Sequence, residues 1–312
     1  MPLGIPLPID ILLSGGYKGF QTGSITALLD GSGGYLYSSF YYDNRERVIQ
    51  TKQTNHLTGG IEKEFIAYNF VGQPTKKLHV HSATGKTTQS ELFVYTYDQA
   101  GRLTETTHQL NGGTTVSLAK NTYDELGRLK TNMKGNNTNL TSTYSYNIRS
   151  WVKSISSPLF QQTLYYNDTY GGGSPRYNGN ISAMNWLVTG DKTRGYTFAY
   201  DGLSRITSAN YLENGSASNN YKVPFITYDK HGNIKSLERW GKTSSGSTFA
   251  AVDVLTMEHD GNQLKTVYEA GTNVLISESY DFKSYKDSVA EYLYNANGSM
   301  TKDLNKGITE IK

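Results

Sequence analysis

The sequence predicts an all-β chain, an array of antiparallel hairpins, and three observations carry that prediction. Tyr occurs 25 times and Gly 32 times in 312 residues, against 7 Pro and no Cys. Tyr suits a pleated, half-buried surface and Gly marks turns and bulges. Segments such as "FVYTY" at 93–97 alternate with period two, which puts Phe93, Tyr95 and Tyr97 on one face of a strand. A short phrase also recurs: "YDELGRL" at 123–129 follows "YDQAGRL" at 97–103.

The first segment, "MPLGIPLPIDILLSGG", is apolar but broken by Pro2, Pro6, Pro8 and Asp10, with no Lys or Arg before Lys18. A signal peptide needs a basic start and an unbroken apolar stretch, so residues 1–34 read as an irregular leader. From residue 35 onward the phrase recurs as "YDNRERV" from Tyr42, "YDQAGRL" from Tyr97, "YDELGRL" from Tyr123 and "YNIRSWV" from Tyr146. It returns as "YDGLSRI" from Tyr200, "YDKHGNI" from Tyr228 and "YNANGSM" from Tyr294, with shortened forms "YNGNI" from Tyr177 and "HDGNQL" from His259. Starts lie 26, 23 and 28 residues apart at 97 to 123, 123 to 146 and 200 to 228, and the gaps 42 to 97 and 146 to 200 are about double. One strand pair per repeat follows. Residues 35–312 read as a single repeat array, and the final stretch from Tyr294 breaks off as a new strand pattern begins, as in a fragment of a longer protein.

Each phrase specifies a hairpin. Asp favours the first position of a type I turn, because its carboxylate accepts backbone amides, and Gly favours the left-handed position of a bulged loop. Asp98 and Gly101 fit those places, as do Asp124 with Gly127 and Asp229 with Gly232. Counting outward sets Asp98 opposite Arg102 and Tyr97 opposite Leu103. The same count sets Asp124 opposite Arg128, Tyr123 opposite Leu129, Asp201 opposite Arg205 and Tyr200 opposite Ile206. Tyr228 falls opposite Ile234, and Asp229 opposite Asn233. At Glu46 and Ser150 the glycine is replaced, which predicts mild strain or a different loop. Between repeats, "GGGSPRYNG" (171–179), "ENGSASNN" (213–220) and "GKTSSGST" (241–248) have loop compositions, and "HQLNGGTTV" (108–116) reads as a further hairpin tip.

Composition excludes several functions. Thirty Lys and Arg against 27 Asp and Glu leave a formal charge of +3 without long single-sign runs, so no nucleic-acid footprint appears. No run of about 18 apolar residues encodes a helical membrane span. Without Cys there are no disulfides and no thiolate chemistry. P-loop, GxSxG, HExxH and strand-to-helix GxGxxG patterns are absent. A catalytic pair is unique in most enzymes, whereas Asp with Arg recurs here at each turn, so these residues read as structural. His79 and His81 in "LHVH" share a strand face, a spacing that can present two imidazoles to zinc, but no third ligand can be named. His56, His108, His231 and His259 are scattered near turns and strand ends. No cofactor is expected. Trp151, Trp186 and Trp240 could stack on sugar rings, or fill one face of the sheet.

The repeated Tyr-Asp phrase resembles the YD repeats of the rearrangement hotspot (Rhs) family, to which teneurins and the C component of insecticidal toxin complexes are related. "YNIRSWVKSISSPLFQQTLYYND" and "YNGNISAMNW" further resemble the version in Bacteroidetes surface and secreted proteins. The resemblance covers about residues 35 to 312. It implies a β-sheet strip that spirals into a hollow shell, in toxins around a C-terminal effector polypeptide, on the bacterial surface or outside the cell. The core that closes such shells and releases the effector by aspartyl autoproteolysis has a DPxG-like signature that is absent here. Cleavage and toxicity are therefore assigned to no residue. The expectation is a non-enzymatic structural segment whose partners are the remaining repeats and C-terminal segment of its own full-length chain, with self-association through open strand edges. The alternative is a carbohydrate-binding or adhesin module that meets cell-surface glycans through its tryptophans.

Overall fold

The computed structural model describes residues 19–311 except 30, 245, 247, 273, 275–280 and 285–289. The regular structure is antiparallel β, with short 3-10 turns and no α-helix among the described residues. Where the sequence reads as one array over 35–312, packing divides the chain into two compact units, residues 1–143 and 144–312.

The first unit holds β1 (Gly23–Ala27), β2 (Tyr35–Tyr42), β3 (Val48–Thr54), β4 (Ile61–Tyr68) and β5 (Pro74–Ser82). It continues with β6 (Gln89–Tyr97), β7 (Leu103–Leu110), β8 (Val116–Tyr123), β9 (Leu129–Lys134) and the first half of β10 (Thr141–Tyr146). The expected irregular leader is corrected in part. Residues 1–18 lie outside the described residues, but β1 is a regular strand that pairs Ile25 with Tyr37 and Thr26 with Leu36. Its β-branched residues supply strand propensity without the turn phrase that marks the other strands. Side chains of this unit are mostly half-buried on both faces, so pairing and cross-strand contacts carry more of its stability than an enclosed core does.

The second unit begins with the rest of β10 and continues with β11 (Val152–Ser156), β12 (Phe160–Tyr165), β13 (Ala183–Val188), β14 (Arg194–Tyr200), β15 (Ile206–Glu213) and β16 (Ser216–Ala217). Strands β1 to β16 pair in strict chain order. A second sheet contains β17 (Phe225–Tyr228), β18 (Ile234–Lys242), β19 (Phe249–Asp260) and β20 (Gln263–Glu269), and β21 (Tyr292–Tyr294) pairs with β22 (Met300–Asp303). Val223 exchanges two backbone hydrogen bonds with Ala209 of β15, while Trp240 of β18 donates to the Lys222 carbonyl, so segment 222–223 joins the two sheets. The buried apolar side chains of the described residues lie in this unit, among them Tyr211, Leu212, Val252 and Val267. A chain of rings runs through it: Trp186 to Tyr196 at 5.9 Å, Tyr196 to Tyr211 at 5.3 Å, Tyr211 to Tyr221 at 5.2 Å and Tyr221 to Phe249 at 5.0 Å.

"ENGSASNN" is tighter than a loop. Asn214 and Gly215, at φ 48° and 79°, make a two-residue turn that pairs Glu213 with Ser216 and creates β16.

Candidate functional site

Among the described residues eight hairpins share one turn. In each, the first residue (Asp43, Asn69, Asp98, Asp124, Asn147, Asp201, Asp229 or Asn295) donates its N–H to the carbonyl four residues on and accepts from the N–H three residues on. At Asp124 one carboxylate oxygen accepts from the Leu126 and Arg128 amides at 3.0 and 2.8 Å, and the other takes Arg128 Nε at 2.7 Å. Asp98 and Asp201 repeat this with Arg102 and Arg205, and Asp229 takes the Asn233 side-chain amide instead. Tyr97 pairs with Leu103, Tyr123 with Leu129, Tyr200 with Ile206 and Tyr228 with Ile234, each beside a one-residue register shift. The position that closes the turn is left-handed in every copy. Gly127 stands there at φ 80°, and Glu46, Ser150 and Ser204 adopt the same conformation at 65°, 61° and 63°.

These carboxylates are held in the ionised form by their own turns. The Arg102 amide foremost, and then the Arg102 guanidinium, keep Asp98 below the ordinary carboxylate range despite partial desolvation; Arg205 does the same for Asp201.

Successive repeats are joined by the tyrosines. Tyr68 donates its hydroxyl to the Val48 carbonyl at 2.8 Å, Tyr97 to Pro74 at 2.8 Å, Tyr123 to Leu103 at 2.8 Å and Tyr228 to Ile206 at 2.7 Å. In these four the acceptor is the first strand residue after the preceding turn, the one paired with that hairpin's own tyrosine. In the same direction, the turn arginine of one repeat lies over the tyrosine of the next: Arg47 over Tyr68 at 4.6 Å, Arg102 over Tyr123 at 4.8 Å and Arg205 over Tyr228 at 4.5 Å.

The rungs expose a copy that the sequence reading missed and correct another. Tyr68 opens "YNFVGQP", with Gly72 left-handed and Tyr68 paired to Pro74, which halves the gap between Tyr42 and Tyr97. The shortened copy read from Tyr177 begins instead at Tyr166. Tyr166 is buried and donates to the Val152 carbonyl at 2.9 Å, whereas Tyr177 is 68% exposed. The Ile181 carbonyl closes this repeat and accepts from Tyr200 at 2.7 Å. The copy at His259 turns in two residues, and its Leu264 carbonyl accepts from Tyr294 at 3.0 Å.

His79 and His81 share one partner. Their rings hydrogen-bond the two oxygens of Glu62, His79 Nε2 at 2.9 Å and His81 Nδ1 at 2.6 Å. Partial burial works to raise Glu62, but hydrogen bonds from His81, Asn55 and His79 outweigh it and hold the carboxyl below its ordinary value. No cluster of three or more His, Asp or Glu among the described residues is arranged to hold a metal. His108 packs against Phe93 at 4.8 Å, His231 is an exposed turn residue and His259 ends opposite Leu264.

The tryptophans sit in three different surroundings. Trp186 stacks on Tyr196. Trp240 donates to Glu238 at 2.6 Å and carries the Lys222 ammonium over its ring at 4.1 Å. Trp151 lines a cleft of about 440 Å³ with Arg149, Lys153, Asp168, Arg176 and Tyr177. Arg149 lies over the Trp151 ring at 5.1 Å and donates to the Tyr177 carbonyl at 2.7 Å. Tyr166 packs against the indole at 5.0 Å, and Gly179 approaches so closely that an added Cβ would stand 3.3 Å from it. Lys153 pairs with Asp168 at 2.6 Å.

Fold and turns together define a class: an antiparallel hairpin-repeat protein. No family model and no curated protein matches the chain. Among solved structures it is similar to the complex titled "Crystal Structure of TcdB2-TccC3", at 11% identity and a TM-score of 0.43, over 89% of this chain and 18% of that one. It is also similar to "Crystal Structure of TcdB2-TccC3-Cdc42", at 12% identity and 0.35, over 85% and 17%. The chain thus spans less than a fifth of those chains' lengths.

Proposed function

We propose that this chain is a non-enzymatic wall segment of an Rhs-type scaffold, secreted or displayed on a bacterial surface, that encloses or presents a polypeptide encoded beyond it. The observation that carries this reading is the rung between repeats. Tyrosine hydroxyls reach the first strand carbonyl after the previous turn, and at Tyr68, Tyr123 and Tyr228 an arginine of that turn also covers the ring. Such a bond adds nothing to a reacting centre; it fixes the spacing of successive hairpins and so extends a wall. Where a turn holds both Asp and Arg, the two side chains are engaged with each other.

The test is protease protection in the full-length gene product. The polypeptide that follows the array should resist limited digestion while the array is folded, and be cut once urea unfolds it. Digestion of that polypeptide at the rate seen when it is expressed alone would overturn the enclosing role.

A further inference from the structure

Of the hairpins in the second unit, the one that opens at Tyr166 departs most from the common turn. Seventeen residues, 166–182, separate β12 from β13, where the common turn puts five between its strands. Connections of this length without their own secondary structure are uncommon in compact domains and are frequently functional. This one is fixed in place. Arg176 N donates to the Tyr166 carbonyl at 2.6 Å, Gly173 N to Tyr170 at 2.9 Å, and the Tyr165 and Tyr170 rings stack at 4.7 Å. With the turn at 147–150, tied to it through Arg149, it walls the cleft beside Trp151.

The volume, about 440 Å³, lies within the range of small-ligand sites. Three cations, Arg149, Lys153 and Arg176, face one carboxylate, Asp168. Lys153 and Asp168 are each 45% exposed, so their pairing is readily exchanged for another. Arg176 holds its guanidinium over Tyr200 at 5.2 Å, and its Nε–H is covered from solvent without an acceptor among the described residues. A covered donor without a partner is costly, and a small turn of the side chain toward an anion would meet it. Tyr177 adds an exposed ring at the rim.

We propose that this cleft binds an acidic saccharide, with a sugar C–H face against the exposed Tyr177 ring beside Trp151 and uronate carboxylates against Arg149, Lys153 and Arg176. An acidic peptide fits less well, because peptide recognition on a sheet draws on an open strand edge, and this cleft is walled by a turn and a loop. The proposal stands on the cleft and is independent of the scaffold role.

The test is an NMR titration of the 312-residue chain with trigalacturonate, cellotriose or hexaglutamate, read at the three tryptophan indole N–H signals, with Trp151 assigned through Trp151→Phe. Trigalacturonate should move the Trp151 signal and leave Trp186 and Trp240 in place. Added salt should weaken it, and Arg176→Gln should weaken it about tenfold or more. Lys153→Ala, at an exposed site, should weaken it severalfold with an unchanged circular dichroism spectrum, which separates loss of binding from loss of fold. No shift at millimolar trigalacturonate, an equal response to cellotriose, or an equal response to hexaglutamate would each overturn the proposal, the last in favour of an acidic peptide.

Discussion

At the scale of the residue, the aspartate that opens a turn does two jobs with its two oxygens. One accepts backbone amides, as the asparagine carbonyl does at Asn295, where the Asn297 and Ser299 amides both lie at 3.0 Å. The other takes the arginine Nε, and only a carboxylate gives that bond its charge. Asp98→Asn should therefore keep the turn and lose the ionic part. The sign follows from the depressed acidity of Asp98. The unfolded carboxyl takes up its proton near pH 3.9 and the folded one lower, so the contribution is complete above the unfolded value and vanishes as pH falls through the folded one. In urea titrations between about pH 5 and 3, the unfolding midpoint of Asp98→Asn should fall less steeply than that of the parent chain. Parallel slopes would mean that the Arg102 pairing contributes nothing to folding.

At the scale of the element, the hairpin is held to its neighbour as much as to itself. Tyr123→Phe removes the hydroxyl that reaches Leu103 and leaves the ring under Arg102. The expected loss is about 1 kcal/mol in chemical denaturation, typical of one partly buried hydrogen bond. The hairpins were legible because turn chemistry is local: Asp124, Gly127 and Arg128 sit within five residues of one another, and Tyr123 and Leu129 follow by counting. The rung was not, since nothing in the phrase marks the Leu103 carbonyl, 20 residues before Tyr123, as an acceptor. Tyr68 was overlooked because Asn69, Gln73 and Pro74 replace Asp, Arg and Leu together, although Asn69 and Gly72 still make the same turn. Tyr166 was overlooked because the insertion separates it from Ile181, while "YNGN" imitates the phrase nearby. The cleft lies at that insertion. Of its charged residues, Arg149 stands in the Tyr146 phrase, whereas Lys153, Asp168 and Arg176 carry no turn signal, so the sequence marks only Trp151.

At the scale of the whole molecule, the two units rest on different physics. The second buries Tyr211, Leu212, Val252 and Val267, while the first is stabilised chiefly by paired strands, turns and rungs. Alternation predicted strands in both, but it carries no information on which stretch would gain a buried interior. That depends on where segment 222–223 brings β15 and β18 together. The rung has a consequence for how such a chain can change length. Because its acceptor is a main-chain carbonyl, it is indifferent to the side chain there, and Val48, Pro74 and Leu103 all serve. Excising residues 97–122 would deliver Tyr123 to the Pro74 carbonyl that Tyr97 leaves. The shortened chain should remain folded and melt cooperatively, as followed by circular dichroism, whereas a cut of 13 residues should not. Whole repeats can thus be duplicated or lost by recombination without recoding their neighbours, and the length of the array is free to drift while its construction stays the same.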